Sequence, residues 1–224
     1  MIPAFEVNEG ARIANLAADK LLATSNDQKG RAGADLRRAC GDLKAHADVY
    51  IVKNEIADRL SNCFDQARLT GATLDEFDRI RETILAEPVT SLIGTLIKNG
   101  CVCFSLQQMS MTLVEIKFTS REDVDRVRKE IHPAFDQAEE VAADEMVLAV
   151  YRTLISLHAA VTFHLYETAR PLPQMLQYKF ASPRPTLVLS HRLYSTAVRA
   201  DELREENKIV HPAFAPRDGR ALAF

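Results

Sequence analysis

This 224-residue chain has no tryptophan and only eight glycines. Average usage would give roughly twice as many glycines, and seven of the eight lie at or before Gly100. The shortage excludes phosphate loops of the GxGxxG and GxxxxGK[ST] types. It also disfavours a β-sandwich, because the hairpins of that fold rely on glycine turns. The chain between Cys101 and Asp218 must therefore turn on Pro, Asn, Asp and Ser.

Long apolar runs and excess charge of one sign are also missing. The formal net charge is -3, so no basic footprint for nucleic acid is present. No apolar run approaches the length of about 18 residues that a membrane span needs. The N-terminus also lacks the basic segment followed by an apolar segment that is typical of a signal peptide. We therefore expect a chain made in the cytoplasm, with no nucleic-acid partner and no membrane partner.

The residues that usually carry chemistry show no recognisable spacing. The pair Cys101 and Cys103 is separated by one residue, whereas metal-binding pairs leave two to four, and reduced thiols are the expected state in a cytosol. His158 and His164 lie six apart, so on one helix they point about 120° away from a shared ion. A serine elbow of the GxSxG type is absent. We expect no catalytic residue, no metal site and no cofactor, and hence no enzyme.

Apolar periodicity predicts a mainly α fold with a few short strands, in three parts. A helical N-terminal domain is expected over 1–104 and a strand–long helix–strand segment over 105–182. A small C-terminal α+β module is expected over 183–224. The first and third parts differ in their turns, because the first ends its helices on glycine and the third turns on proline.

Within the N-terminal domain, the polar Ser25–Gly33 predicts a loop. From Ala34 to Ala67, apolar residues recur every three or four positions, apart from one longer step between Tyr50 and Ile56, and they predict one amphipathic helix. Thr73-Leu-Asp-Glu76 has the spacing of a capping box and predicts the start of another. That helix is expected to kink or divide at Pro88 and to stop at Gly100.

In the central segment, apolar residues alternate over Met109–Phe118 with one slip of phase, which predicts a bulged strand. A capping signal in Thr119-Ser120-Arg121-Glu122-Asp123 predicts a long helix to about Arg170, bent at His132-Pro133. Alternation over Leu176–Phe180 predicts a second strand. A short helix from Thr186 and a charged helix ending at Asn207 are expected to follow.

The C-terminal third carries the most specific residue pattern. Its members, the candidate core or interface residues of the module, are Tyr194, Arg199, Asp201, Leu203, Asn207, Ile209, His211, Pro212 and Phe214. Together with the preceding segment from about residue 105, this pattern resembles the C-terminal region of the DNA-circularisation (N-type) proteins of Mu-like tailed phages. The resemblance implies a virion structural protein of a contractile-tail baseplate or hub. Its partners would be hub, wedge, tube or sheath proteins, with several copies around the tail axis.

The same segment is also similar, less closely, to a LysM-type module. It has a Thr-Leu start at Thr186, two short helices, Asn207 after the second helix and Pro212 before a closing strand. Asn207 is expected to end its helix in the left-handed conformation, while Tyr194 and Phe214 are expected to pin the return segment to the helices. Two alternatives to the tail role stay open: a peptidoglycan-binding protein and a phage DNA-end protein.

Overall fold

A computed structural model describes residues 2–24, 29–145 and 147–223. Part of the loop predicted over Ser25–Gly33 therefore lies outside the described residues. The described chain is mainly helical with a two-stranded antiparallel sheet near its C-terminus, which confirms the predicted mainly α fold class. The elements follow in the order α1 (Ala4–Ala23), α2 (Arg31–Val52), α3 (Ile56–Leu69), α4 (Leu74–Ala86), α5 (Leu92–Glu115), α6 (Arg121–Asp144), α7 (Leu148–Ala169), β1 (Gln174–Lys179), α8 (Thr186–Tyr194), α9 (Ala200–Glu206) and β2 (Asp218–Ala223).

The chain divides into two compact units. Unit 1 comprises Met1–Ile116 and Ile131–Val161, and unit 2 comprises Lys117–Glu130 and Thr162–Phe224. Helices α6 and α7 each contribute residues to both units.

The core of unit 1 is apolar and close-packed. The Phe64 ring has no exposed surface and lies 6.4 Å from the ring centroid of Phe77 and 5.8 Å from that of Phe104. Helix α1 packs on α2 and α5, and Gly10 makes this approach possible. A Cβ at Gly10 would lie 2.8 Å from the Ile97 side chain, so a larger residue there would push α1 from α5.

Two local signals in unit 1 mark helix boundaries. The Thr73 side chain accepts a hydrogen bond from the Glu76 amide at 3.4 Å, and the Glu76 carboxylate accepts one from the Thr73 amide at 2.7 Å, which confirms the predicted capping box. The single helix predicted from Ala34 to Ala67 is wrong. It divides into α2 and α3 at Asn54, whose φ of 58° is left-handed and ends α2.

The strand predicted over Met109–Phe118 is wrong, as is the helix end predicted at Gly100. Helix α5 runs without a break from Leu92 to Glu115. Met109 and Leu113 are buried while Met111 and Val114 are exposed, so apolar residues occupy more than one face of the helix. A helix that is apolar on several faces loses its period of 3.6 and can imitate alternation.

The prediction of a single long helix from Thr119 to Arg170 is also wrong, because this segment forms two helices, α6 and α7. Its start is confirmed, because the Ser120 hydroxyl accepts a hydrogen bond from the Asp123 amide at 3.2 Å. Pro133 lies inside α6 without ending it. Helix α6 ends at Asp144 and α7 begins at Leu148, so residues far apart in sequence meet across the two helices.

Unit 2 contains a small strand–helix–helix–strand arrangement, residues 174–223, called here the C-terminal module. Strands β1 and β2 pair antiparallel from Gln174↔Ala223 to Lys179↔Asp218. The module begins with β1, which lies before residue 183. Its buried core residues are Tyr178, Leu189, Leu203, Ile209, Ala215 and Ala221.

Candidate functional site

Asn207 joins the second helix of the C-terminal module to its last strand. The Asn207 side-chain amide donates to the backbone oxygens of Leu203 at 2.9 Å and Arg220 at 2.8 Å, and its oxygen accepts from the Arg220 amide at 2.7 Å. The backbone φ of Asn207 is −101°, so the predicted left-handed conformation is wrong. The left-handed residue is the next one, Lys208, with φ 49°.

Gly219, the single glycine after Gly100, makes this junction possible. A Cβ at this position would collide with the Asn207 side-chain oxygen and the Tyr178 hydroxyl. Tyr178 lies opposite Gly219 across the sheet. Burial raises the pKa of Tyr178, and the charge of Asp218 raises it further, so its hydroxyl keeps its proton at neutral pH.

Arg199 forms a second polar junction in the module. Its guanidinium lies 3.9 Å from the Tyr194 ring centroid and donates to Glu202 at 2.7 Å and to the Leu222 backbone oxygen at 3.0 Å. Stacking and a bonded carboxylate fix an arginine more firmly than either contact alone. Tyr194 and Arg199 are therefore framework residues, as are the buried Leu203 and Ile209.

The remaining predicted residues are exposed. Asp201, His211 and Pro212 lie at the surface, and Phe214 is 74% exposed. The prediction that Phe214 pins the return segment is wrong, because the buried Ala215 takes that position and donates its amide to the Arg184 backbone oxygen at 2.9 Å.

No family model and no curated protein matches this chain. The residue pattern and the geometry are therefore the grounds for assigning a function.

Outside the C-terminal module, two helices of unit 1 bring together a cluster that the sequence analysis missed. His158 on α7 lies against α6, where its Nδ1 is 2.8 Å from the Glu139 carboxylate and its Nε2 is 2.5 Å from Nδ1 of His132. The Phe135 ring stacks on the His158 ring at 4.8 Å and 13°. The imidazole of His158 is thus held at both nitrogens and on one face.

Three side chains of this cluster could hold a metal ion. Asp136, Glu139 and His158 each offer one ligand atom, and these atoms all lie within 4.8 Å of one another. The sequence signal was the spacing of His132, Asp136 and Glu139, which places them on one face of a helix. Spacing within one helix could not reveal the cluster, because His158 reaches it from α7.

Helix α7 presents many apolar side chains to solvent. By length and composition, α7 is long enough and apolar enough to cross a membrane. In its most apolar segment of 18 residues, 17% of the residues are buried. The sequence analysis predicted no membrane-spanning segment because no unbroken run of apolar residues is long enough. The mean hydropathy of α7 is nevertheless high, because its few polar residues are scattered among apolar ones. Length and hydropathy alone do not distinguish a membrane span from an apolar helix that packs against protein. The large exposed apolar residues of α7 are Leu148, Val150, Ile155, Phe163 and Tyr166.

Unit 1 also contains a largely apolar cavity of about 620 Å³, lined by α4, α5, α6 and α7. Arg81 is the buried cation at its wall, and its guanidinium donates to Asp78 at 2.7 Å and to Gln137 at 2.9 Å. Cys103 also lines the cavity, and burial raises the pKa of its thiol. That thiol is therefore protonated at neutral pH and is a poor nucleophile.

Proposed function

We propose that this chain is a non-enzymatic structural component of a contractile, Mu-like phage tail, located in the baseplate or hub. The observation that carries the proposal is the C-terminal residue pattern, which resembles the circularisation-protein family and folds as one module. Within that module Arg199 and Asn207 hold framework positions, while His211, Pro212 and Phe214 are left at the surface. A structural protein that acts by binding its neighbours needs both kinds of residue: framework residues that fix the fold and surface residues that are free to contact a partner.

The surfaces that would make such contacts are apolar and exposed. In the C-terminal module they include Val198, Val210 and Phe214, which are 87%, 98% and 74% exposed. An exposed apolar patch is typical of a surface that is covered in an assembly, and we propose that these side chains belong to such a surface. Phe163 and Tyr166 on α7 supply further aromatic contacts, and aromatic residues are enriched in protein interfaces.

The proposed partners are hub, wedge, tube or sheath proteins, with several copies of the chain around the tail axis. A stable contact buries roughly 1,200–2,000 Å² in total. The chain would be made in the host cytoplasm and would act in the virion, with neither nucleic acid nor a membrane as a partner.

The experiment is detection of the chain by mass spectrometry in purified tail particles of the phage that encodes it, followed by pull-down of its tail proteins. Phe214→Asp should reduce capture of a partner by the full chain. Val52→Asp, which changes an exposed apolar residue of unit 1, is the matched control and should leave capture intact. Absence of the chain from purified particles would overturn the proposal.

Peptidoglycan binding is a second candidate, favoured by the strand–helix–helix–strand order of the C-terminal module and its exposed Phe214. That order is compatible with the LysM resemblance. Cosedimentation of the full chain with insoluble peptidoglycan tests it. Binding that is lost in Phe214→Ala and kept in Val52→Ala would favour glycan recognition over tail assembly.

A further inference from the structure

We propose that Asp136, Glu139 and His158 bind a divalent transition-metal ion, which links α6 to α7 within unit 1. The ligand atoms of these three side chains lie within 4.8 Å of one another. Zinc binds oxygen and nitrogen ligands at about 2.0–2.2 Å, so two ligand atoms of one ion lie roughly 3–3.5 Å apart. His158 Nδ1 and Glu139 Oε1 are already 2.8 Å apart. The ligand atom of Asp136 lies within 4.8 Å of the other two ligand atoms, and this exposed side chain would turn towards them to complete the site.

The local charge matches such an ion. Two carboxylates and one neutral imidazole carry a total charge of −2, which a divalent cation neutralises. The side chains of Glu139 and His158 are only 19% and 16% exposed, and partial burial strengthens their attraction for a cation. Asp136 lies on the solvent side and gives the ion access to the other two ligands.

His132 is a positioning residue in this arrangement. When Nδ1 of His158 binds the ion, its Nε2 carries the proton and donates to Nδ1 of His132, 2.5 Å away. Ligating histidines commonly donate their other ring N–H to a neighbouring acceptor, and this contact fixes their tautomer and orientation. The Phe135 ring restricts the remaining rotation, because it stacks on the His158 face.

The ligand set also narrows the choice of ion. One imidazole nitrogen with two carboxylate oxygens suits first-row transition metals and zinc, whereas magnesium and calcium prefer oxygen ligands alone. Among divalent ions of that row, affinity rises from Mn²⁺ to Cu²⁺, with Zn²⁺ below Cu²⁺. Zn²⁺ binds histidine nitrogen and carboxylate oxygen and has no geometric preference of its own, so it tolerates an irregular ligand set. We therefore assign the site to Zn²⁺, with Co²⁺ as a spectroscopic substitute.

The test uses the full chain after removal of metals with a chelator. Titration with Zn²⁺ is followed by calorimetry, and titration with Co²⁺ by visible absorption. The wild-type chain should bind one equivalent. Asp136→Asn should weaken binding at least about tenfold, and Glu139→Gln and His158→Gln should weaken it more because they remove the half-buried ligands. Glu140→Gln is the matched control, since it removes the same charge one residue further along α6, from an exposed position.

His132→Gln distinguishes positioning from ligation. It should lower Zn²⁺ affinity by about 10–100-fold while leaving the shape of the Co²⁺ absorption band unchanged, because the ligands stay the same. Absence of Zn²⁺ binding by the wild-type chain would overturn the proposal. Equal affinity in the wild type and Asp136→Asn would also overturn it, and the exposed position of Asp136 makes that variant safe for folding. These outcomes do not depend on the proposed tail function.

Discussion

The interactions that stabilise unit 1 differ from those that stabilise the C-terminal module. The core of unit 1 contains large side chains without exposed surface, among them Phe64, Phe77 and Leu106. The core of the module contains six buried residues, two of them alanines, and its helix and strand are joined by side-chain hydrogen bonds to backbone. A small domain buries too little apolar area to be stable by burial alone. Its few polar contacts therefore carry a larger share of the stability.

The first prediction concerns the apolar core of unit 1. Phe64→Ala removes a fully buried ring that contacts two other phenylalanines, and it should lower the free energy of unfolding by about 3–5 kcal/mol. Urea unfolding followed by far-UV circular dichroism measures the change. Leu69→Ala, at an exposed position on the same helix, should stay within about 0.5 kcal/mol. Equal effects of the two variants would show that the core of unit 1 does not depend on this ring.

The second prediction concerns the polar junction of the C-terminal module. Asn207→Ala removes three hydrogen bonds to backbone groups and should destabilise the module by about 1–3 kcal/mol. Amide hydrogen exchange should accelerate at Arg220. Glu205→Ala, at an exposed position on α9, should leave that exchange rate unchanged. If the Arg220 amide in Asn207→Ala were as well protected from exchange as in the wild type, the module would be stabilised mainly by its apolar core, like unit 1.

The third prediction concerns a polar contact inside unit 1, where the effect should be smallest. Hydrogen bonds from Ser91 and Thr90 lower the pKa of Glu9 from 4.5 to about 2. A lowered folded-state pKa stabilises the fold above the unfolded-state value, and this contribution is lost as the pH falls through the folded-state value. The stability advantage of wild type over Glu9→Gln should therefore be full above about pH 4.5 and vanish towards pH 2.

Urea unfolding of the two chains across that pH range measures this advantage. A difference that stays constant from neutral pH down to pH 2 would contradict the role of the Glu9 charge. It would place the effect in packing instead, as in the rest of unit 1.

Helix starts and the first strand of the C-terminal module were predicted correctly, because both depend on residues that are close together in the sequence. The capping residues Thr73 and Ser120 begin their helices as predicted, because a cap depends on residues within one turn. The alternation over Leu176–Phe180 correctly predicted β1. Prediction failed where packing decides. The part of α5 from Met109 onwards was predicted to be a strand because the helix is apolar on several faces. The end of α6 at Asp144 and the start of α7 at Leu148 were not predicted either.

The candidate sites show the same limit. The pattern identified Asn207 and Arg199 as important, but their role as links to β2 depends on contacts with residues 13 and 23 positions away. Phe214 was assigned to the core by its size, whereas the smaller Ala215 is the residue that fits there. The cluster around His158 joins residues 19 and 26 positions apart, which periodicity on one helix cannot reveal.

The side chain of Asn207 also protects one edge of the two-stranded sheet. Its amide group offers the same donor and acceptor as a peptide bond, and it bonds both the N–H and the C=O of Arg220. The free edge of a two-stranded sheet is a template on which strands of other molecules can add. At Arg220 both backbone groups of that edge are already bonded to Asn207, so the strand of a neighbouring molecule cannot pair with β2 at this position.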